Sequence, residues 1–149
     1  MDISQKGLAG EYYVLAQLTA RGINASLTLG NTKGVDILAY NEESQRGFKI
    51  EVKTTTNRWG PKAKRPYSWV LQKKAEDFSS EDLIYCFVIL YDLETMPRFF
   101  LVPSKVVATT ILKGHKAWLS TRDDPVKSDS NIRTFRIEKD DPNGYEDNW

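Results

Sequence analysis

The chain has 149 residues, 40% of them hydrophobic and 28% charged, with a formal net charge of +1. This is the length of one domain with a sizeable core. It has no apolar run long enough to span a membrane, and Met1-Asp2-Ile3-Ser4-Gln5-Lys6 lacks the basic and apolar regions of a signal peptide, so a cytoplasmic location is expected. A single cysteine, Cys86, excludes an internal disulfide and reads as core, and the one histidine, His115, has no second soft ligand near it for a zinc site.

In chain order, Ser4 to Arg21 reads as an amphipathic helix. Leu8, Tyr12, Leu15 and Leu18 recur at helical spacing with Val14 at the margin, and Gly22 is the stop. Glu11 lies at the edge of that stripe, after the small Gly10. Two readings stand: a snorkelling surface residue, or a glutamate that reaches a site beyond the helix. Asn24 to Leu29 is a first strand, and Gly30 to Gly34 a polar turn.

The next stretch is the most informative. Val35, Ile37 and Ala39 alternate with Asp36, Leu38 and Tyr40, and Phe48, Ile50 and Val52 alternate with Lys49, Glu51 and Lys53. Both halves have strand periodicity, and the polar loop Asn41 to Gly47 joins them as a hairpin. Pairing symmetric about the loop sets Asp36 opposite Glu51, with Lys53 on the same face and Val35, Ile37, Ile50 and Val52 on the core face. Two adjacent carboxylates on rigid strands repel unless a cation stands between them, and hard oxygen ligands suit Mg²⁺, with Mn²⁺ as its substitute. A lysine two residues beyond Glu51 is placed to orient or deprotonate an attacking water and to offset charge on a phosphate. The arrangement is that of a metal-dependent phosphodiesterase; the bland alternative is a solvated strand face with a cross-strand charge pair.

Thr54 to Thr56 extend the strand. From there to Ala75 no acid occurs, while Arg58, Lys62, Lys64, Arg65, Lys73 and Lys74 interleave with Trp59, Tyr67 and Trp69. The stretch reads either as a phosphate-backbone contact whose aromatics stack on bases, or as a solvated loop anchored by its tryptophans. Tyr67 to Gln72 is a short strand that sets Gln72 near the site or on the adjoining edge, and Lys73 to Phe78 a helical turn. Leu83 to Tyr91, almost wholly apolar, is a strand buried on both faces. Arg98 to Val102 returns beside it, and Ser104 N-caps a second helix running to about Leu112. Ser120 to Ser130 is loop, Thr134 to Glu138 a short strand, and Asp140 to Trp149 a loose acidic tail that Tyr145 and Trp149 tack to the surface, lying away from any nucleic acid. The expected architecture is an α/β domain over residues 1–120 with a mixed central β-sheet flanked by helices, followed by a C-terminal extension over 121–149.

Gly10-Glu11-x-x-Val14, Gly34-Val35-Asp36 and Ile50-Glu51-Val52-Lys53 together resemble the PD-(D/E)xK nuclease superfamily, the fold of restriction endonucleases and archaeal-type Holliday junction resolvases. The resemblance covers the first third of the chain, and Val35 stands where many members have proline. It implies a Mg²⁺-dependent endonuclease acting on DNA. Asp36, Glu51 and the Val52 carbonyl would be metal ligands, Lys53 the catalytic lysine, Glu11 the helix glutamate of some branches and Gln72 an extra site residue. A homodimer is expected, since cutting two strands needs two sites. The rival expectation is a catalytically silent DNA-binding or protein-interaction module on the same fold.

Overall fold

The first helix, α1 (Ile3–Ala20), is set by its cap: Asp2 accepts from the Gln5 backbone at 2.8 Å while the Gln5 side chain accepts from the Asp2 backbone at 3.0 Å. Two otherwise orphaned N–H groups are thereby satisfied. Gly22, at φ +74°, follows the helix. The buried row is Gly10, Val14 and Leu18 rather than the expected Leu8, Tyr12 and Leu15, for Leu8 and Tyr12 are exposed and Leu15 half-buried. A small residue decides this: a Cβ on Gly10 would stand 1.9 Å from the Thr54 hydroxyl, so the helix rests on the sheet at its backbone. Gly10→Ala is expected to cost about 1–3 kcal/mol by overpacking. Urea denaturation reads this, and an unchanged midpoint would mean that α1 does not depend on that contact.

The structure is a computed structural model that describes residues 2–28, 34–56, 64–92 and 94–149. The remaining elements are β1 (Asn24–Leu27), β2 (Ile37–Asn41), β3 (Arg46–Thr56), β4 (Tyr67–Gln72), a 3₁₀ turn (Lys73–Glu76), β5 (Leu83–Leu90), β6 (Arg98–Pro103), α2 (Ser104–Leu119), α3 (Pro125–Ser128) and β7 (Ile132–Ile137). Five strands form a mixed sheet in the order β1-β2-β3-β5-β6, with β3 and β5 parallel and the other neighbours antiparallel. The fold is therefore α/β with a mixed central sheet flanked by helices.

Both sheet faces are covered. On one, Val14 and Leu18 of α1 pack on Ile37, Ile50, Val52, Cys86 and Val88. On the other, α2 and the β4–β7 pair bring Trp69, Ile111 and Phe135 against Tyr85, Phe87 and Phe100. This double cover explains the continuous apolar run of β5, where each buried large side chain contributes about 1.5–3 kcal/mol. No described helix is long and apolar enough to cross a membrane.

Several local expectations shift. The strand over Tyr67–Gln72 does not join the main sheet but pairs antiparallel with β7 as a separate two-stranded ribbon. Helix α2 continues past Leu112 to Leu119, since Gly114 costs a helix only about 1 kcal/mol relative to alanine. Ser104 is not its N-cap. Pro103 holds that position, and the Ser104 hydroxyl instead accepts from Ser80 N at 3.0 Å and donates to Ser80 O at 2.9 Å, tying α2 to the loop before β5. The C-terminal tail is anchored: Leu101 N donates to Tyr145 O at 2.9 Å and Asp147 N to Phe99 O at 3.0 Å, so the tail covers the free edge of β6. Trp149 packs on Phe99 and under the Arg21 guanidinium.

Candidate active site

The site forms where β2 ends and β3 runs on. Pairing stops at Ile37↔Ile50, and the next residue back, Asp36, reaches β3 through hydrogen bonds of its own. The Asp36 main chain is clamped on both sides: its N–H donates to Ile50 O at 2.9 Å and its carbonyl accepts from Thr28 N at 2.9 Å. Its side chain takes over where the ladder ends, Oδ2 accepting from Val52 N at 2.7 Å. The Val52 N–H is thus directed to the edge where Asp36 stands. Gly34, at φ +78° with the Phe78 ring 2.6 Å from where a Cβ would be, turns the chain into this position.

Glu51 is 8% exposed and pairs through Oε1 with the ammonium of Lys53. Its Oε2 is buried with no hydrogen-bond partner among the described residues. Burial raises the Glu51 pKa, and the Asp36 charge adds to the rise, against the lowering by Lys53 and, more weakly, Lys74. Glu11 is half-buried on α1, and its pKa is raised by burial and then by Asp36, with Lys53 opposing and Glu51 adding. Glu11 therefore lies within the electric field of the hairpin's charges, although no group of three or more His, Cys, Asp and Glu side chains among the described residues is assembled to hold a metal ion. Two carboxylates with a backbone carbonyl and waters suffice for Mg²⁺, which keeps much of its hydration.

A cleft of about 660 Å³ opens here, lined by Glu51, Lys53, Gln72, Lys74, Phe78 and Tyr85 among others. Gln72 and Lys74, distant from the hairpin in sequence, thus share its cavity. The other basic residues scatter. Arg65 lines a second groove beyond Lys53, and exposed Lys73 pairs with Asp129 at 3.6 Å. Lys64 is exposed and lines neither cavity, while Arg58, Lys62 and Trp59 lie outside the described residues.

Tyr67 and Trp69 do not offer their rings to bases. Strand β4 alternates buried and exposed, which turns both inward, and the Trp69 indole donates to Val88 O at 3.0 Å in the core. One site residue was hidden in the sequence. Tyr85, register partner of Glu51 on β5, keeps its phenol protonated because burial, Glu51 and Asp36 all raise its pKa. Its continuous apolar surroundings conceal it; only the register with Glu51 exposes it.

No family model matches the chain, and no curated protein matches it in sequence. Among solved structures it is similar to a bacterial homing endonuclease, I-Ssp6803I, over 73% of this chain and 74% of that one, with a TM-score of 0.50 and 14% identical residues. At that identity the likeness is one of fold: this α/β chain shares the fold of a nuclease.

Proposed function

We propose that the chain is a divalent-cation-dependent nuclease of the PD-(D/E)xK type, hydrolysing DNA phosphodiester bonds with Mg²⁺, for which Mn²⁺ substitutes. The observation that carries this reading is the buried Oε2 of Glu51, unpartnered among the described residues, with a second carboxylate, that of Asp36, anchored on the Val52 N–H next along β3. A buried acceptor left unpaired costs about 1–3 kcal/mol, which a cation ligated there offsets.

Asp36, Glu51 and the Val52 carbonyl would hold the ion, and Glu11 would act on the site through water. When bound, such a cation supplies positive charge to a phosphate and lowers the pKa of a water. The chain's own residues do the rest. Asp36 stays oriented by Val52 N–H, Lys53 takes up the proton of the attacking water at Nζ once its ammonium has given one of its own to solvent, and Gln72 and Lys74 hold a phosphate in the cleft. DNA is the expected substrate, and a homodimer would deliver two such sites to two strands.

The test is cleavage of supercoiled plasmid, four-way junction, single strand and RNA with Mg²⁺ or Mn²⁺, by wild type and Asp36→Asn. The amide oxygen of the variant can still accept from Val52 N, so the fold is retained. Wild type is expected to cut and the variant to lose about 10²–10³-fold, the range for one preorganised electrostatic group. In parallel, Mn²⁺ at about a hundred times its Kd is expected to stabilise wild type by about 2.7 kcal/mol, read as a rise in Tm that the variant lacks. No cleavage and no cation-dependent rise would move the chain to the silent binding modules.

A further inference from the structure

Lys53 faces two cavities. Besides the cleft of Glu51 and Gln72, it lines a groove of about 500 Å³ on its other side, and exposed Val70 of β4 borders both. Four segments supply the cations of this second groove: Lys6 from α1, Lys53 from β3, Arg65 ahead of β4, and Lys139 just after β7. Its described lining contains no aspartate or glutamate, and Thr54, Thr55, Thr56 and Ser68 add polar groups. In a chain of net charge +1, a groove of one sign is a local departure, and low-dielectric walls concentrate its potential.

Lys139 is held in place by a ring contact. Lys139 Nζ sits 3.8 Å from the centroid of the Tyr67 ring, and Tyr67 in turn hydrogen-bonds the Arg98 guanidinium, which pairs with Glu146. Asp141 is engaged within the tail, accepting from Glu146 N at 2.7 Å. So although the C-terminal tail is acidic in composition, the residue just before it contributes a base to this groove.

We infer that the groove is a phosphate tract, in which Lys6, Arg65 and Lys139 hold the sugar-phosphate backbone of the strand flanking the position that reacts at Lys53. The inference rests on the nuclease reading, since it takes the strand to continue out of the cleft. It adds two residues, Lys6 and Lys139, that lie outside the basic stretch of the sequence.

The test is binding of a labelled oligonucleotide, single-stranded and annealed, followed by fluorescence anisotropy over a salt series with Ca²⁺ in place of Mg²⁺. Cleavage with Mg²⁺ is measured separately on the same proteins. Lys6→Gln and Lys139→Gln are each expected to weaken binding several-fold and to flatten the slope of log affinity against log salt by about one. Lys116→Gln, an exposed lysine on α2, is expected to match wild type. Lys139→Met, which keeps apolar contact with the Tyr67 ring but no charge, is expected to bind as weakly as Lys139→Gln, while Lys139→Arg, which keeps the charge, is expected to bind as wild type; the pair separates a phosphate contact from support of Tyr67. Slopes and affinities of the two Gln variants equal to Lys116→Gln, or no binding by wild type at low salt, would overturn the tract. The first result with intact cleavage leaves the nuclease reading standing, and lysine-dependent binding without cleavage removes that reading while supporting the tract.

Discussion

Lys53→Ala is expected to lose about 10²–10⁴-fold in cleavage, the usual contribution of a positioned proton-transfer group, while its cation-dependent rise in Tm persists. The side chain is 31% exposed and its main chain is paired with β5, so the fold does not rest on it. Glu51 loses its ion-pair partner in the variant, and its buried carboxylate then depends more on the cation. Lys53→Arg separates two roles. It keeps the positive charge but does not release a proton in the accessible range, so recovery in Lys53→Arg would mean that Lys53 serves by charge alone. Full activity in Lys53→Ala would remove it from the mechanism. Cleavage rates at saturating substrate, with Tm measured on the same samples, decide among these.

The second large effect concerns what supports the cleft. The Arg133 side chain on β7 is 2% exposed and pairs with Glu76 of the 3₁₀ turn, while its other N–H groups donate to Ser130 O at 2.7 Å and Ile132 O at 2.9 Å. Glu76→Ala leaves this guanidinium buried without its principal carboxylate, a loss of about 3–5 kcal/mol. That corresponds to a fall in Tm of about 10 °C, at about 2–4 °C per kcal/mol for a chain of this size. Glu81→Ala removes only an exposed contact with Lys105 and is expected to leave Tm unchanged. The double variant Glu76→Leu, Arg133→Met is expected to regain most of the loss, since the penalty belongs to the orphaned charge rather than to the pair. A Glu76→Ala protein as stable as wild type would show that Arg133 is satisfied by its carbonyls and by Asp129 at 3.8 Å. The same turn carries Lys74 into the cleft, so weaker substrate binding is expected to accompany the lower Tm.

The hairpin was legible because its information is local. Alternation in Val35 to Tyr40 and Phe48 to Lys53, with a polar loop between, fixes which residues face each other, and the structure has Ile37 opposite Ile50. The Asp36 carboxylate accordingly reaches the Val52 N–H on β3, while α1 was legible as a helix from its spacing though not in its buried face, and β5 from its continuous apolar run. The inward turn of Tyr67 and Trp69 was also written in the alternation of Tyr67-Ser68-Trp69-Val70, but the nearby lysines suggested a surface.

The sequence by itself thus determined the strands, the two carboxylates and the lysine beside them. Only tertiary structure decided that β4 leaves the main sheet to pair with β7, which closes a roof over one sheet face. Gln72 was expected near the site, but only tertiary structure decided that Lys74 and Tyr85 share a cleft with it and Glu51, and that Lys6 and Lys139 line one groove with Lys53. The physical reason is the range of the information. Periodicity is encoded within a few residues, whereas closing a long loop is an entropic loss offset by the collective burial of both sheet faces, which no single segment carries.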